Sequence, residues 1–139
     1  MIVLDTNVLS ETLRPTPDAA VARWLKSQRT ADMYTTAICE AEIFYGVALL
    51  PAGKRRAALE RLATGLFDED FAGRVLAFDS SAARAFAGIV ASRRKLGRPI
   101  GELDAQIAAI AHAHGATLAT RNVEDFADCG VRIVRPWAE

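Results

Sequence analysis

The sequence predicts an α/β fold in which a central parallel sheet of about five short strands is sandwiched between helices. Three observations predict it. Short apolar runs alternate with helical apolar stripes along the whole chain, and such alternation makes βαβ units and a parallel sheet covered on both faces. Hydrophobic residues make up 51% of the chain and charged residues 24%, which excludes a disordered or collagen-like chain. At 139 residues the length is near the modal size of one domain, so residues 1–139 are read as one.

Ile2-Val3-Leu4, ending in Asp5-Thr6-Asn7, has the pattern of a buried parallel strand followed by a turn. Pro15 and Pro17 interrupt any regular structure beyond that turn. Asp18 then caps a helix whose apolar stripe is Val21, Trp24 and Leu25. Met33-Tyr34-Thr35-Thr36 is a second strand, feeding a helix from about Ala37 to Leu50 that stops at Pro51 and Gly53. Lys54-Arg55-Arg56 opens another helix, with Leu59, Leu62, Leu66 and Phe67 at helical spacing, and Asp68 and Glu69 fall in a surface loop. Val75-Leu76-Ala77-Phe78 is a third strand, and Asp79 or Ser80 caps the helix running to about Lys95. Residues 96–101 form a loop by composition. A helix from about Glu102 to His114 ends at Gly115, a left-handed cap. Thr117-Leu118-Ala119-Thr120 is a fourth strand and Arg132-Ile133-Val134 a fifth.

Composition narrows the function. Seventeen basic residues balance seventeen acidic ones, which argues against nucleic-acid binding by bulk charge and leaves a local basic patch open. The longest apolar runs, such as Phe44 to Leu50, fall far below the ~20 residues that span a bilayer, so no membrane association is expected. Cys39 and Cys129 have no CxxC or Cys/His spacing and read as small core residues. With no basic stretch ahead of an apolar one at Met1, the expectation is a cytoplasmic protein with reduced thiols. His112 and His114 read as partners of a helix C-terminus rather than catalysts. Pro51-Ala52-Gly53-Lys54 lacks the preceding glycine and the following hydroxyl of a phosphate-binding loop.

In a parallel α/β sheet, ligands gather beyond the carboxyl ends of the strands. Asp5 sits one residue past the first strand and points there; Asp104 sits in the first turn of a helix, where the dipole favours a carboxylate. Glu42 lies on a helix among Ile38, Ala41 and Tyr45, an expensive setting unless it meets a cation. Taken singly, each has a plainer reading: an Asx turn for Asp5, half-exposed helix surface for Glu42, a dipole partner for Asp104. Three carboxylates converging at ~4 Å repel by several kcal/mol at an effective dielectric of 20, so they need a metal or shared protons. All-oxygen ligands favour a hard divalent ion, Mg²⁺ or Mn²⁺, over zinc.

The opening Ile2 to Ser10, the central Ala41-Glu42-Ile43-Phe44-Tyr45-Gly46, the late Thr120-Arg121-Asn122-Val123-Glu124-Asp125-Phe126 and the final Arg135-Pro136-Trp137 together resemble the PIN-domain family, and more narrowly VapC-type toxins of the FitB-like branch. The likeness runs through essentially the whole chain in order. It implies a single PIN-like domain, Mg²⁺- or Mn²⁺-dependent endoribonuclease activity, a homodimer, and a cognate VapB- or FitA-like antitoxin that blocks the site in a larger hetero-oligomer. The family's first three acids match Asp5, Glu42 and Asp104. Its fourth acidic position matches Asn122, an amide, and Thr120 matches a small hydroxyl residue that supports the metal shell. Asp125 reads as a reciprocal cap with Asn122 on a short helix.

The implied mechanism is metal-assisted hydrolysis of an RNA phosphodiester, the ion on Asp5 and Asp104 with Glu42 positioning a water. Arg121, beside the acids, is the candidate substrate-binding residue. Lys54-Arg55-Arg56, and Arg93-Arg94-Lys95 with Arg98, are either phosphate grips or solvated faces. Trp24 and Phe44-Tyr45 are available for an apolar partner contact. An aspartyl phosphatase is disfavoured because position 7 is Asn7, without the second acid that chemistry wants. A receiver domain is disfavoured because the third strand ends at Phe78-Asp79 and leads into a helix cap, with no phosphoacceptor there. The alternative that remains is a catalytically weak PIN-like module that binds RNA or a partner.

Overall fold

The computed structural model describes residues 1–138. Its strands are β1 (Ile2–Leu4), β2 (Met33–Thr36), β3 (Val75–Leu76), β4 (Thr117–Ala119) and β5 (Ile133–Val134). They form one parallel sheet in the order β3-β2-β1-β4-β5. Six α-helices are found among the described residues: α1 (Thr6–Thr12), α2 (Ala19–Ser27), α3 (Ala37–Ala48), α4 (Lys54–Gly65), α5 (Ser80–Lys95) and α6 (Glu102–Ala113). None is long and apolar enough to cross a membrane. The central strand is apolar on both sides, with Val3 and Leu4 essentially inaccessible, as a strand covered on both faces must be.

Side-chain caps set several helix starts. Asp18 accepts from the N–H groups of Ala20 and Val21, Thr36 from Cys39, and Asp79 rather than Ser80 from Ala82. Gly115, at φ +61°, turns the chain out of α6 in the left-handed region. The apolar stripes dictate the packing. Ile107, Ala108, Ile110 and Ala111 of α6 are fully buried, and the small alanines let α5 lie close against it.

Four local readings of the sequence are corrected. Residues after Asp5 are not a turn but α1, seven residues long, whose N-cap is Asp5 itself. The third strand pairs only over Val75 and Leu76, because Phe78 turns outward to stack edge-on against Phe86, ring centres 5.8 Å apart. Asp68 and Glu69 are exposed as expected, but on a π-helical turn over Leu66–Asp70 that keeps Leu66 and Phe67 in the core. Of the large side chains expected to be free for a partner, Phe44 packs on Phe67 at 5.8 Å and Trp24 against the core, leaving Tyr45 exposed. The cysteines behave as read: both are buried and free, and burial pushes the Cys39 thiol up to about 11.

The basic cluster near the end of α5 divides. Arg93 is only 4% exposed, and its guanidinium donates to the carbonyls of Arg98, Asp125 and Ala127 at 2.7–2.9 Å. It fastens the loop before α6 and the segment after β4 to α5, so it is a clamp rather than a phosphate grip. Arg98 is also engaged, pairing with Asp128 at 2.7 Å. His112 likewise has a local partner, its Nδ1 lying 3.1 Å from the Gly130 carbonyl. Arg93→Leu removes several donors from carbonyls it satisfies, so it is expected to lower stability by roughly 3 kcal/mol. Urea unfolding checks this: the midpoint falls at unchanged slope, while the exposed Arg94→Leu stays within about 0.5 kcal/mol.

Candidate active site

The sheet order creates the site. From the central β1 the chain builds outward to β2 and β3 on one side, then returns to add β4 and β5 on the other. The carboxyl ends of β1 and β4 therefore flank the switch point, where the covering helices diverge and leave a crevice. Asp5 leaves β1 there, its N–H still bonded to the Ala119 carbonyl at 2.9 Å. Its carboxylate is 4% exposed and holds three donors: the Thr6 N–H at 2.8 Å, the Thr120 hydroxyl at 2.7 Å and the Asn7 amide at 3.3 Å.

The other expected acids arrive from two further elements. Glu42, on α3, accepts the Thr6 hydroxyl at 2.9 Å, and Asp104 stands in the first turn of α6. All three carboxylates line one crevice of about 390 Å³, together with Arg121, Asn122 and Trp137. Thr120 is buried beneath it, and its hydroxyl also accepts the Asn122 N–H at 3.1 Å. Asp125 and Asn122 do not form the reciprocal cap read from the sequence. No side chain caps the 3₁₀ turn at Val123–Phe126; only the Asn122 carbonyl accepts the Asp125 N–H.

Burial pushes the Asp5 carboxyl above the usual range, against the pull of its Thr120 and Thr6 bonds, and the Glu42 charge adds to the rise. Glu42 is raised by burial and by Asp104. Asp104 is raised by burial, then by Asp5 and Asp125, with Arg93 opposing. No lysine or arginine forms an ion pair with any of the three among the described residues. Nor do any three acidic, histidine or cysteine side chains there already stand grouped as a formed metal cage. The crevice is a set of hard oxygen donors in mutual repulsion.

One wall escaped the sequence reading. Asn7, Ser10, Glu11 and Arg14 line the crevice from α1 and the residues just after it. Their spacing is i, i+3, i+4, i+7, a helical polar stripe that becomes legible once Asp5 is seen as a cap. Glu11 is 5% exposed and meets Arg14 through both its oxygens at 3.1 Å. Beyond Thr6, Ser10, Arg14 and Glu42 the crevice continues into an apolar groove of about 630 Å³ walled by Leu13, Ile43, Val47, Leu59 and Leu62.

The raised carboxyls carry a sign. Each contributes stability that is present below the unfolded value near pH 4 and lost as pH rises through the higher folded one. Without divalent ions, Glu42→Gln is therefore expected to match the unmodified chain near pH 4 and to melt about 1–3 °C higher by pH 7. Thermal scans in chelator across that range check it; an advantage that shrinks as pH rises would contradict the repulsion.

Comparison with known proteins identifies the family and the fold. The PIN domain family model matches residues 2–130. The chain is 44% identical over 137 residues to a VapC ribonuclease of Sinorhizobium fredii, covering 99% of this chain and 98% of that one. It is 44% identical over 138 residues to the toxin FitB of Neisseria gonorrhoeae, covering 99% of each. Among solved structures, a chain from FitAB bound to a DNA fragment superposes with a TM-score of 0.93 at 41% identity, covering 100% of this chain and 97% of that one. With the matched segment running from β1 past the switch point to the turn before β5, the chain belongs to the PIN domain family.

Proposed function

We propose that this chain is an endoribonuclease dependent on Mg²⁺ or Mn²⁺ and the toxin half of a toxin–antitoxin pair. One observation carries the reading: Asp5, Glu42 and Asp104, from three separate elements, line a single crevice without a protein cation paired to any of them. Such an arrangement is costly in itself and is rational where a divalent ion completes it. The donor chemistry fits, being all oxygen and all anionic when ionised. Asp5 and Asp104 would hold the ion, with Glu42 close by and Asn122 and Thr120 in support. When bound, such an ion neutralises a phosphate oxygen and acidifies a water.

The chain's own residues do the rest. Thr120, Asn7 and the Thr6 N–H fix the Asp5 oxygens in place, so the first acid is pre-oriented. Glu42, steadied by the Thr6 hydroxyl, orients a water for in-line attack on phosphorus. Arg121 offers a guanidinium to the RNA backbone on the crevice wall. The apolar groove leading to the acids suits an antitoxin segment whose cationic end reaches the carboxylates. Tyr45 and Leu49, 67% and 66% exposed, are candidates for a homodimer contact.

Asp5→Asn is expected to reduce cleavage of a fluorescent RNA at least about 100-fold while the fold is kept, because it removes an anionic ligand. Asp68→Asn is expected to leave the rate unchanged. Cleavage that persists in chelator, or an Asp5→Asn rate equal to the unmodified chain's, overturns the assignment. RNA bound but never cut, with either metal, would favour the binding-module reading that Asn122 invites.

The amide at Asn122 sets the expected charge of the site at about three. Fixed carboxylates decide whether a second divalent ion stays near the first, since the two repel strongly. One Mn²⁺ is therefore expected to bind the RNA-free chain, and Asn122→Asp to raise its affinity or stoichiometry in calorimetry. Two tight sites in the unmodified chain would bring Asp125 into the shell instead.

A further inference from the structure

Arg121 lies on the wall of a crevice that holds Asp5, Glu42 and Asp104, and it is exposed. A guanidinium that near to carboxylates forms bidentate pairs with them when its side chain is free to swing. Such a pair would plug the crevice with the protein's own cation. Among the described residues Arg121 forms no ion pair. Something else holds it.

Its Cζ stands 5.4 Å over the centre of the Trp137 ring. Trp137 is itself held: it is 8% exposed, belongs to the core, and its carbonyl accepts from the Arg135 guanidinium at 3.1 Å. The backbone beneath Arg121 is also tied. Its N–H donates to the Asn7 Oδ1 at 3.2 Å, and the Asn7 amide donates in turn to Asp5. The backbone end of the arginine is thus tied through Asn7 to the first acid, and its guanidinium end to a fixed ring.

We propose that Trp137 is a positioning residue for Arg121: its ring parks the guanidinium on the rim of the crevice, clear of the carboxylates, to receive an RNA phosphate beside the one being cut. The inference rests on the ribonuclease reading. Stacking uses the face of a guanidinium and leaves its N–H edge free, and that edge matches the two oxygens of a phosphodiester. A phosphodiester also needs such a cation, because three carboxylates in the crevice repel it. Trp137 therefore acts through Arg121 and touches neither metal nor scissile phosphate.

A double-mutant cycle tests this. Binding is read in chelator by anisotropy of a fluorescein-labelled, randomised single-stranded RNA on the slow-cutting Asp5→Asn background, at several salt concentrations. Cleavage is read separately with Asp5 intact. Arg121→Gln is expected to weaken binding about tenfold and to lower the salt slope by about one unit. Trp137→Leu is expected to raise KM about three- to tenfold with kcat little changed, and to reduce the salt slope similarly. Trp137→Phe, which keeps an aromatic face and most of the packing, recovers most of the loss. Adding Trp137→Leu to Arg121→Gln costs nothing further in binding, since the tryptophan has no arginine left to hold. Losses that add, or a Trp137→Leu variant that melts much lower yet binds RNA with the full salt slope, overturn the inference while the ribonuclease reading stands. An unmodified chain that neither binds nor cuts the RNA overturns both.

Discussion

A single buried carboxylate organises this molecule. Asp5 is nearly inaccessible at the point where the sheet changes direction, and its two oxygens take three donors from two elements. Two come from the start of α1, the Thr6 N–H and the Asn7 amide, and one from the Thr120 hydroxyl at the end of β4. The same residue ends a strand, caps a helix and joins the halves of the sheet. A buried ionised group left without such partners costs far more than the net worth of any one hydrogen bond, so these neighbours are constrained together. Thr120 is fully buried for that reason, and its hydroxyl passes the constraint on to Asn122.

The molecule treats its buried and half-buried charges in two ways. Glu11 is closed off by Arg14, and Arg93 directs its donors to carbonyls of the segments it clamps. Those charges are satisfied within the chain. Asp5, Glu42 and Asp104 are left to repel one another, and burial and that repulsion lift all three carboxyls. A chain able to pair Glu11 and to park Arg93 had the means to neutralise the crevice as well. Sites where local stability is given up in this way are where function concentrates.

The crevice is continuous with an apolar groove through Thr6, Ser10, Arg14 and Glu42, all shared by the two cavities. A polar pocket that takes a charged group thus opens onto an apolar wall able to take a partner's side chains. The short helix α1 is the partition: one side presents the polar stripe at Asn7, Ser10 and Glu11, and the other buries Val8 and Leu9.

The order of residues alone dictates the alternation of strands and helices, the cap at Asp18 and the turn at Gly115, because these depend on neighbours within a few residues. It also offers Asp5, Glu42 and Asp104 as candidate acids, but only as a set and through the family resemblance, since each alone also fits a turn, a helix surface or a helix dipole. What those residues meet is settled by tertiary packing. Arg93 belongs to a basic run that reads either as a phosphate grip or as a solvated face, and only the fold brings the carbonyls of Arg98, Asp125 and Ala127 around it. α1 is illegible locally because Thr6 and Asn7 are weak helix formers and seven residues cannot hold a helix alone; Asp5 and the packing of Val8 and Leu9 make it one. Trp137 joins Arg121 at the crevice from a distant stretch of chain, a contact that no local spacing encodes. Short-range chemistry is written in the order of residues, whereas long-range pairing exists only once loop-closure entropy has been overcome by the packed core.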